Sequence, residues 1–153
     1  MVALTLLGSI ATSASATEKT AFVNDIDEYI VFRYGHERIA SDGTFDFNVR
    51  SDIKSTTFTA NKSKITLSLK CKVYNCNTGV STADASQTFA LRLYYADTNE
   101  EYGVGFYSAD GEKQESDWPV KVGQRYYFKI ICDSPLNMPL SIKGSGKITN
   151  ITA

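Results

Sequence analysis

Across most of the chain the apolar positions recur at every second residue, the period of a strand with one buried face. The cleanest stretch puts Ile65, Leu67, Leu69, Cys71 and Val73 on one face and Lys64, Thr66, Ser68, Lys70 and Lys72 on the other. Phe45, Phe47 and Val49 alternate with Asp46 and Asn48, and Thr56, Phe58 and Ala60 resume the alternation after SDIKS, which reads as a polar turn. Phe89, Leu91, Leu93 and Tyr95 stand against Ala90, Arg92 and Tyr94. Beyond the hairpin-like Asp97-Thr98-Asn99-Glu100, Tyr102, Val104 and Phe106 stand against Gly103, Gly105 and Tyr107. Tyr126, Phe128, Ile130 and Cys132 oppose Arg125, Tyr127 and Lys129. The final stretch, Leu140 to Ile151, places Gly144 and Gly146 in the inward register between Ile142 and Ile148, where glycine marks a bulge, a bend or the close approach of another backbone.

These segments predict an all-β fold: a single antiparallel β-sandwich or jelly roll of about seven to eight strands. Asp110-Gly111 marks a further turn, and Pro119, Pro135 and Pro139 fall at strand ends or in loops, where no ladder N–H is missed. Asp25 to Ala40 satisfies both periods, since Ile26, Ile30 and Arg33 fit a helix whereas Ile30 and Phe32 against Val31 and Arg33 fit a strand; the strand reading is preferred.

Composition changes this picture little, and charge narrows it. At 153 residues and 42% hydrophobic content the chain suits one domain with a sizeable core. Sixteen basic against 17 acidic side chains, a net charge of −1, give no global field that would draw in nucleic acid or an anionic membrane. Residues 1–16, MVALTLLGSIATSASA, carry no charge, open on an apolar run and close on small residues, the pattern of a secretory signal lacking its basic start. The expectation is therefore a truncated signal over 1–16 and the sandwich over 17–153, secreted or at the cell surface. The apolar run is too short to span a bilayer as a helix. Of the three cysteines, Cys71 and Cys132 both fall in inward registers, so a Cys71–Cys132 disulfide across the core is the preferred pairing, with Cys76 left in a turn.

Candidate chemistry is sparse. His36 is the sole histidine, placed in a Tyr-Gly-His-Glu turn, and Gly144-Ser145-Gly146 is too short for a nucleophile elbow. Cys71-x4-Cys76 does not match zinc-ligand spacing. No cofactor is expected; calcium is the one conceivable exception, since two acidic loops, Asp97 to Glu101 and Asp110 to Asp117, offer oxygens, but they follow no EF-hand pattern and such loops are usually solvated turns. No pair of strand-borne carboxylates stands out for glycoside hydrolysis. The stronger pattern lies opposite the apolar register, where Lys70, Lys72, Tyr74, Arg92, Tyr94, Tyr107, Arg125, Tyr127 and Lys129 mix aromatic and basic groups able to stack on sugar rings and bond their hydroxyl or anionic substituents. Such residues also stabilise sheets by ordinary cross-strand pairing. Trp118, after an acidic loop and before Pro119, is either a loop-borne anchor or a plug at one end of the sandwich.

With the leader and the short strands, the phrase VGQRYYFKI, residues 122–130, resembles small bacterial secreted β-sandwich modules of the carbohydrate-binding or pre-peptidase type. The resemblance is one of outline and transfers no functional residue. The resulting expectation is a secreted, non-catalytic module that binds a glycan or a protein through Tyr94, Tyr127, Arg92, Arg125, Lys129 and Trp118. An extracellular hydrolase with loop-borne carboxylates and a self-associating surface protein are the alternatives.

Overall fold

The computed structural model describes residues 36–153. The leader-like segment 1–16 and the part of Asp25–Ala40 before His36 lie outside the described residues. The strands are β1 (His36–Glu37), β2 (Thr44–Val49), β3 (Asp52–Ser55), β4 (Phe58–Ala60), β5 (Lys64–Asn75) and β6 (Val80–Thr82), followed by β7 (Asp84–Tyr95), β8 (Glu101–Ala109), β9 (Gln114–Pro119), β10 (Arg125–Cys132), β11 (Leu140–Thr149) and β12 (Ile151–Thr152). They form two sheets packed face to face, the expected β-sandwich, but with more strands than the seven to eight expected, because short segments such as β3, β6 and β9 also join the ladders. In sheet A, β10 is flanked on one side by β3 and β4 end to end, with β1 outside β3 and β12 outside β4, and on the other side by β7 and then β8. In sheet B, β11 lies between β2 and β5, while β6 and β9 share the far side of β5. Among the described residues every strand pairing is antiparallel except β1 with β3.

The core is what the alternation requires. Phe45, Phe47 and Val49 of β2, Ile65, Leu67, Leu69 and Cys71 of β5, and Ile142 and Ile148 of β11 meet Phe89, Leu91 and Leu93 of β7 and Tyr126, Phe128, Ile130 and Cys132 of β10. Phe45 and Phe128 join the two layers, with ring centroids 5.0 Å apart. Gly144 and Gly146 resolve to close approach: a Cβ on the first would overlap Cys71 Cβ and the Lys70 carbonyl, and on the second the Phe45 ring and the Ser68 carbonyl. Glycine is therefore demanded by packing on the middle strand of sheet B.

Several segments differ from the expected pattern. SDIKS is not a turn: β3 runs through it, burying Ile53 and Ser55, and the Ser55 hydroxyl accepts the Phe128 N–H at 3.0 Å. His36 lies not in a turn but in β1, paired with Lys54. The acidic loop after Asp110 closes early, because Gln114–Pro119 forms β9 along β5. The last stretch breaks at Asn150, whose φ of 63° lets β11 in sheet B pass into β12 in sheet A.

The largest departure is in β8. Leu93 lies opposite Gly103 but Tyr94 opposite Glu101, so Tyr102 is an extra residue, a β-bulge. One inserted residue reverses the parity of everything that follows. Gly103, Gly105 and Tyr107 consequently face inward, while Val104 and Phe106, expected in the core, face solvent at 40% and 70% exposure. The Trp118 indole fills the space over the two glycines; a Cβ on Gly103 would lie 3.2 Å from its Cζ3, and one on Gly105 3.0 Å from its Cζ2.

The chain crosses from sheet A to sheet B at Asp110-Gly111. Asp110 bridges to Lys72, the Gly111 N–H donates to the Cys71 carbonyl at 3.0 Å, and the Asp110 carboxylate accepts the Glu112 N–H and the Ser108 hydroxyl, both at 2.8 Å. Those hydrogen bonds, the Glu112 N–H first, hold the Asp110 carboxyl below its ordinary range. The sign follows: a depressed carboxyl stabilises the fold while ionised, and that contribution disappears as the pH falls through its folded value. Asp110→Asn is expected to lower the melting temperature at pH 7, with the gap to wild type narrowing as the pH is taken below the ordinary carboxylate range; a gap independent of pH would count against this role. Gly144→Ala is expected to cost about 1–3 kcal/mol by overpacking, read by urea denaturation. A midpoint unchanged by that substitution would contradict the close approach.

Candidate binding surface

The outer face of sheet A gathers five of the six expected ligand residues on β7 and β10. Cross-strand register sets Tyr127 opposite Tyr94 and Lys129 opposite Arg92, because inward burial of Leu91, Leu93, Phe128 and Ile130 turns their neighbours outward. Arg125 lies one pleat beyond Tyr127 on the same face.

These groups partner one another more fully than the alternation alone implies. The Tyr94 and Tyr127 rings stack at 5.1 Å with 7° between planes, and Lys54 Nζ lies 3.8 Å from the Tyr127 centroid. Tyr127 is left only 3% exposed, and its hydroxyl donates to Asn99 Oδ1 at 3.2 Å. Burial, with Tyr94 adding to it, pushes the Tyr127 hydroxyl up, so it stays protonated and a donor at neutral pH. Lys129 Nζ lies 5.3 Å from the Tyr94 centroid. Arg92 donates to Glu101 at 2.7 Å, and Arg125 to Asp97 at 3.4 Å. The ring faces that would stack on a sugar are thus turned toward each other and toward lysine. What the face offers a partner is the half-exposed Tyr94, the cationic row, and beside them Val104 and Phe106 on β8, opposite Arg92 and Ala90 respectively.

Trp118, the sixth expected residue, is elsewhere. It stands in β9, not in a loop, and is 8% exposed within the core. Its Nε1–H donates to Ser116 Oγ at 2.8 Å, and the same hydroxyl bonds the inward Tyr107. Lys70, Lys72 and Tyr74 lie on β5, in the other sheet, so the outward aromatic and basic residues divide between two faces. The bulge at Tyr102 hides from sequence the exposure of Phe106 and Val104, since simple alternation places them inside.

The expected Cys71–Cys132 disulfide is absent: both are free, buried thiols. Cys71 sits on β5 in one sheet and Cys132 on β10 in the other, and the Cys71 thiol is turned to the Ser108 carbonyl at 3.5 Å. Burial above all pushes both up to about 12. The acidic loops disperse as well. Asp117 takes Lys64 and Thr66, Glu115 takes Lys113, and no group of three or more His, Cys, Asp or Glu among the described residues is placed to hold a metal. No helix among the described residues is long and apolar enough to cross a membrane.

The chain matches no family model and no curated protein. Among solved structures it is similar to a family two carbohydrate esterase from Cellvibrio japonicus, with a TM-score of 0.39 and 11% identity, over 77% of this chain and 30% of that one. The chain thus spans under a third of that protein, and a likeness this distant bears on neither activity nor ligand. Thiol titration of the native protein with a disulfide-exchange reagent is expected to find one fast group, Cys76, and all three after denaturation, because only thiolates react. One reactive group under both conditions would restore the disulfide.

Proposed function

We propose that the protein is a non-catalytic binding module, acting outside the cytosol as the leader-like residues 1–16 suggest, and that it engages a protein partner through the outer face of sheet A. The supporting observation is the juxtaposition of Phe106, 70% exposed, and Val104 with Arg92 and Tyr94 on neighbouring strands. Aromatic and arginine side chains around a small apolar patch are the composition of interface hot spots, where a few groups carry most of the affinity. The Tyr94–Tyr127 stack and the Lys54 and Lys129 contacts hold these side chains before a partner arrives, which lowers the ordering cost of association. A protein surface is favoured over a glycan because the tyrosine faces are already occupied, whereas the edges, the guanidinium and the Phe106 ring remain available.

The test is site-specific photo-crosslinking from position 106 and, as the opposite-face control, from Lys143. A defined partner is expected at 106 and not at 143, and purified complex should weaken about 10- to 30-fold in Arg92→Ala and in Tyr94→Ala. Equal capture from both faces would overturn the proposal. A glycan array whose hits vanish in Tyr94→Ala would replace the protein with a sugar at the same face.

A further inference from the structure

The opposite face of the sandwich carries a second, different surface. A trough of about 510 Å³ runs over the outside of sheet B across β2, β11 and β5. It is concave because of side-chain length. The floor carries Thr44, Asp46, Ser68 and Ser145, short polar residues that the register sets side by side: Ser145 lies between Asp46 and Lys70, and Lys147 between Thr44 and Ser68. The walls carry Arg38, Lys70, Lys113 and Lys147, four cations against the single carboxylate of Asp46, in a chain whose net charge is −1.

Apart from Thr44, whose hydroxyl donates to Asp42 Oδ1 at 2.6 Å, and Lys113, the groups here are largely unspent, in contrast to sheet A. The ion pairs among the described residues use Lys64, Arg92, Lys113 and Arg125, so Arg38, Lys70 and Lys147 are in direct contact with no carboxylate there, although Lys147 feels the charge of Asp42 at the trough's end. Lys113 pairs only with the well-exposed Glu115, an interaction that water and salt weaken. Asp46, Ser68 and Ser145 make no side-chain hydrogen bond within the described protein, although they sit on a regular sheet where such bonds are easily formed. The next row repeats the excess of cations, for Lys143 of β11 lies directly opposite Lys72 of β5, with the Lys143 Nζ held 4.7 Å from the Tyr74 ring centroid. Like charges facing each other across a ladder destabilise a sheet, and a bound anion would relieve them.

We propose that this trough is a binding site for an acidic oligosaccharide, one whose hydroxyls meet the floor and whose carboxylate or sulfate groups meet the cationic walls. Asp46 is the discriminating residue. An anionic carboxylate in the floor repels a phosphate or sulfate pressed into the trough, but it accepts hydrogen bonds from sugar hydroxyls, which are donors. A generic anion sink has no use for it. The one aromatic residue along the trough, Phe45, is buried in the core at 4% exposure, so it offers no exposed platform of the kind on which single-stranded nucleic acids stack. The site is independent of the partner face on sheet A, since the two lie on opposite sides of the core.

The experiment measures binding by calorimetry and by amide chemical-shift changes, using a panel of three acidic glycans: an oligogalacturonate, an alginate oligomer and a sulfated galactan oligomer. The fully methyl-esterified oligogalacturonate and oligo-dT serve as the neutral and the non-sugar comparisons. At least one acidic glycan is expected to bind, shifting amides of β2, β11 and β5, with affinity falling about tenfold in Lys70→Gln and again in Lys147→Gln, since each removes a charge-assisted bond. The ester and oligo-dT are expected to bind more weakly than the acidic form. Asp46→Ala is expected to weaken the acidic glycan despite raising the local positive charge; tighter binding in that variant would show a generic anion surface and overturn the proposal. No binding by any of the three, equal binding of the ester or of oligo-dT, or shifts confined to sheet A would also overturn it. Unchanged melting temperatures in the glutamine variants separate lost binding from lost fold.

Discussion

The packing of sheet A on sheet B through the Phe45–Phe128 contact is the constraint on which the remainder of the structure rests. Each sheet is apolar on one side only, and burying both apolar sides together is the single arrangement that removes them from water. Once that is imposed, the parity of each strand is set, and so is the identity of every outward residue. The core tolerates no Cβ at Gly144 or Gly146, so the interior is matched by shape as well as by hydrophobicity.

The two outer faces follow from this parity but differ in how their polar groups are used. On sheet A, rings, lysines and arginines neutralise and cover one another, leaving a preorganised patch whose apolar part was carried outward by the Tyr102 bulge. On sheet B the cations along the trough surround a floor where the Ser68 and Ser145 hydroxyls and the Asp46 carboxylate are unengaged within the described protein. A face that is satisfied internally presents shape and edges to a partner; a face that is unsatisfied presents charge and hydrogen-bonding capacity. The same sandwich can thus present two distinct recognition chemistries on opposite sides.

Much of this was legible from the alternation of residues. The inward sets of β2, β5, β7 and β10 are those that period two assigns, and the outward placement of Tyr94, Tyr127, Arg92, Arg125 and Lys129 comes with them. Short polar strands were not legible, because β3 and β9 bury too few apolar side chains to show a period and owe their conformation to pairing with β10 and β5. Trp118 illustrates the same limit. Its neighbours are acidic and exposed, yet the glycines that admit it to the core lie on β8, and nothing along the chain links those positions.

Sequence alone therefore determined the class of fold and the facing of its regular strands, since both depend on local periodicity and on the need to bury one face. Tertiary structure decided the parity of β8 beyond Tyr102, the covering of Tyr127, the separation of Cys71 from Cys132 as free thiols, and the gathering of Lys70 and Lys147 around Asp46. Each of these depends on which strand lies beside which, in what register and with how many residues. Those are relations between segments distant in the chain, and periodicity within a segment does not carry them.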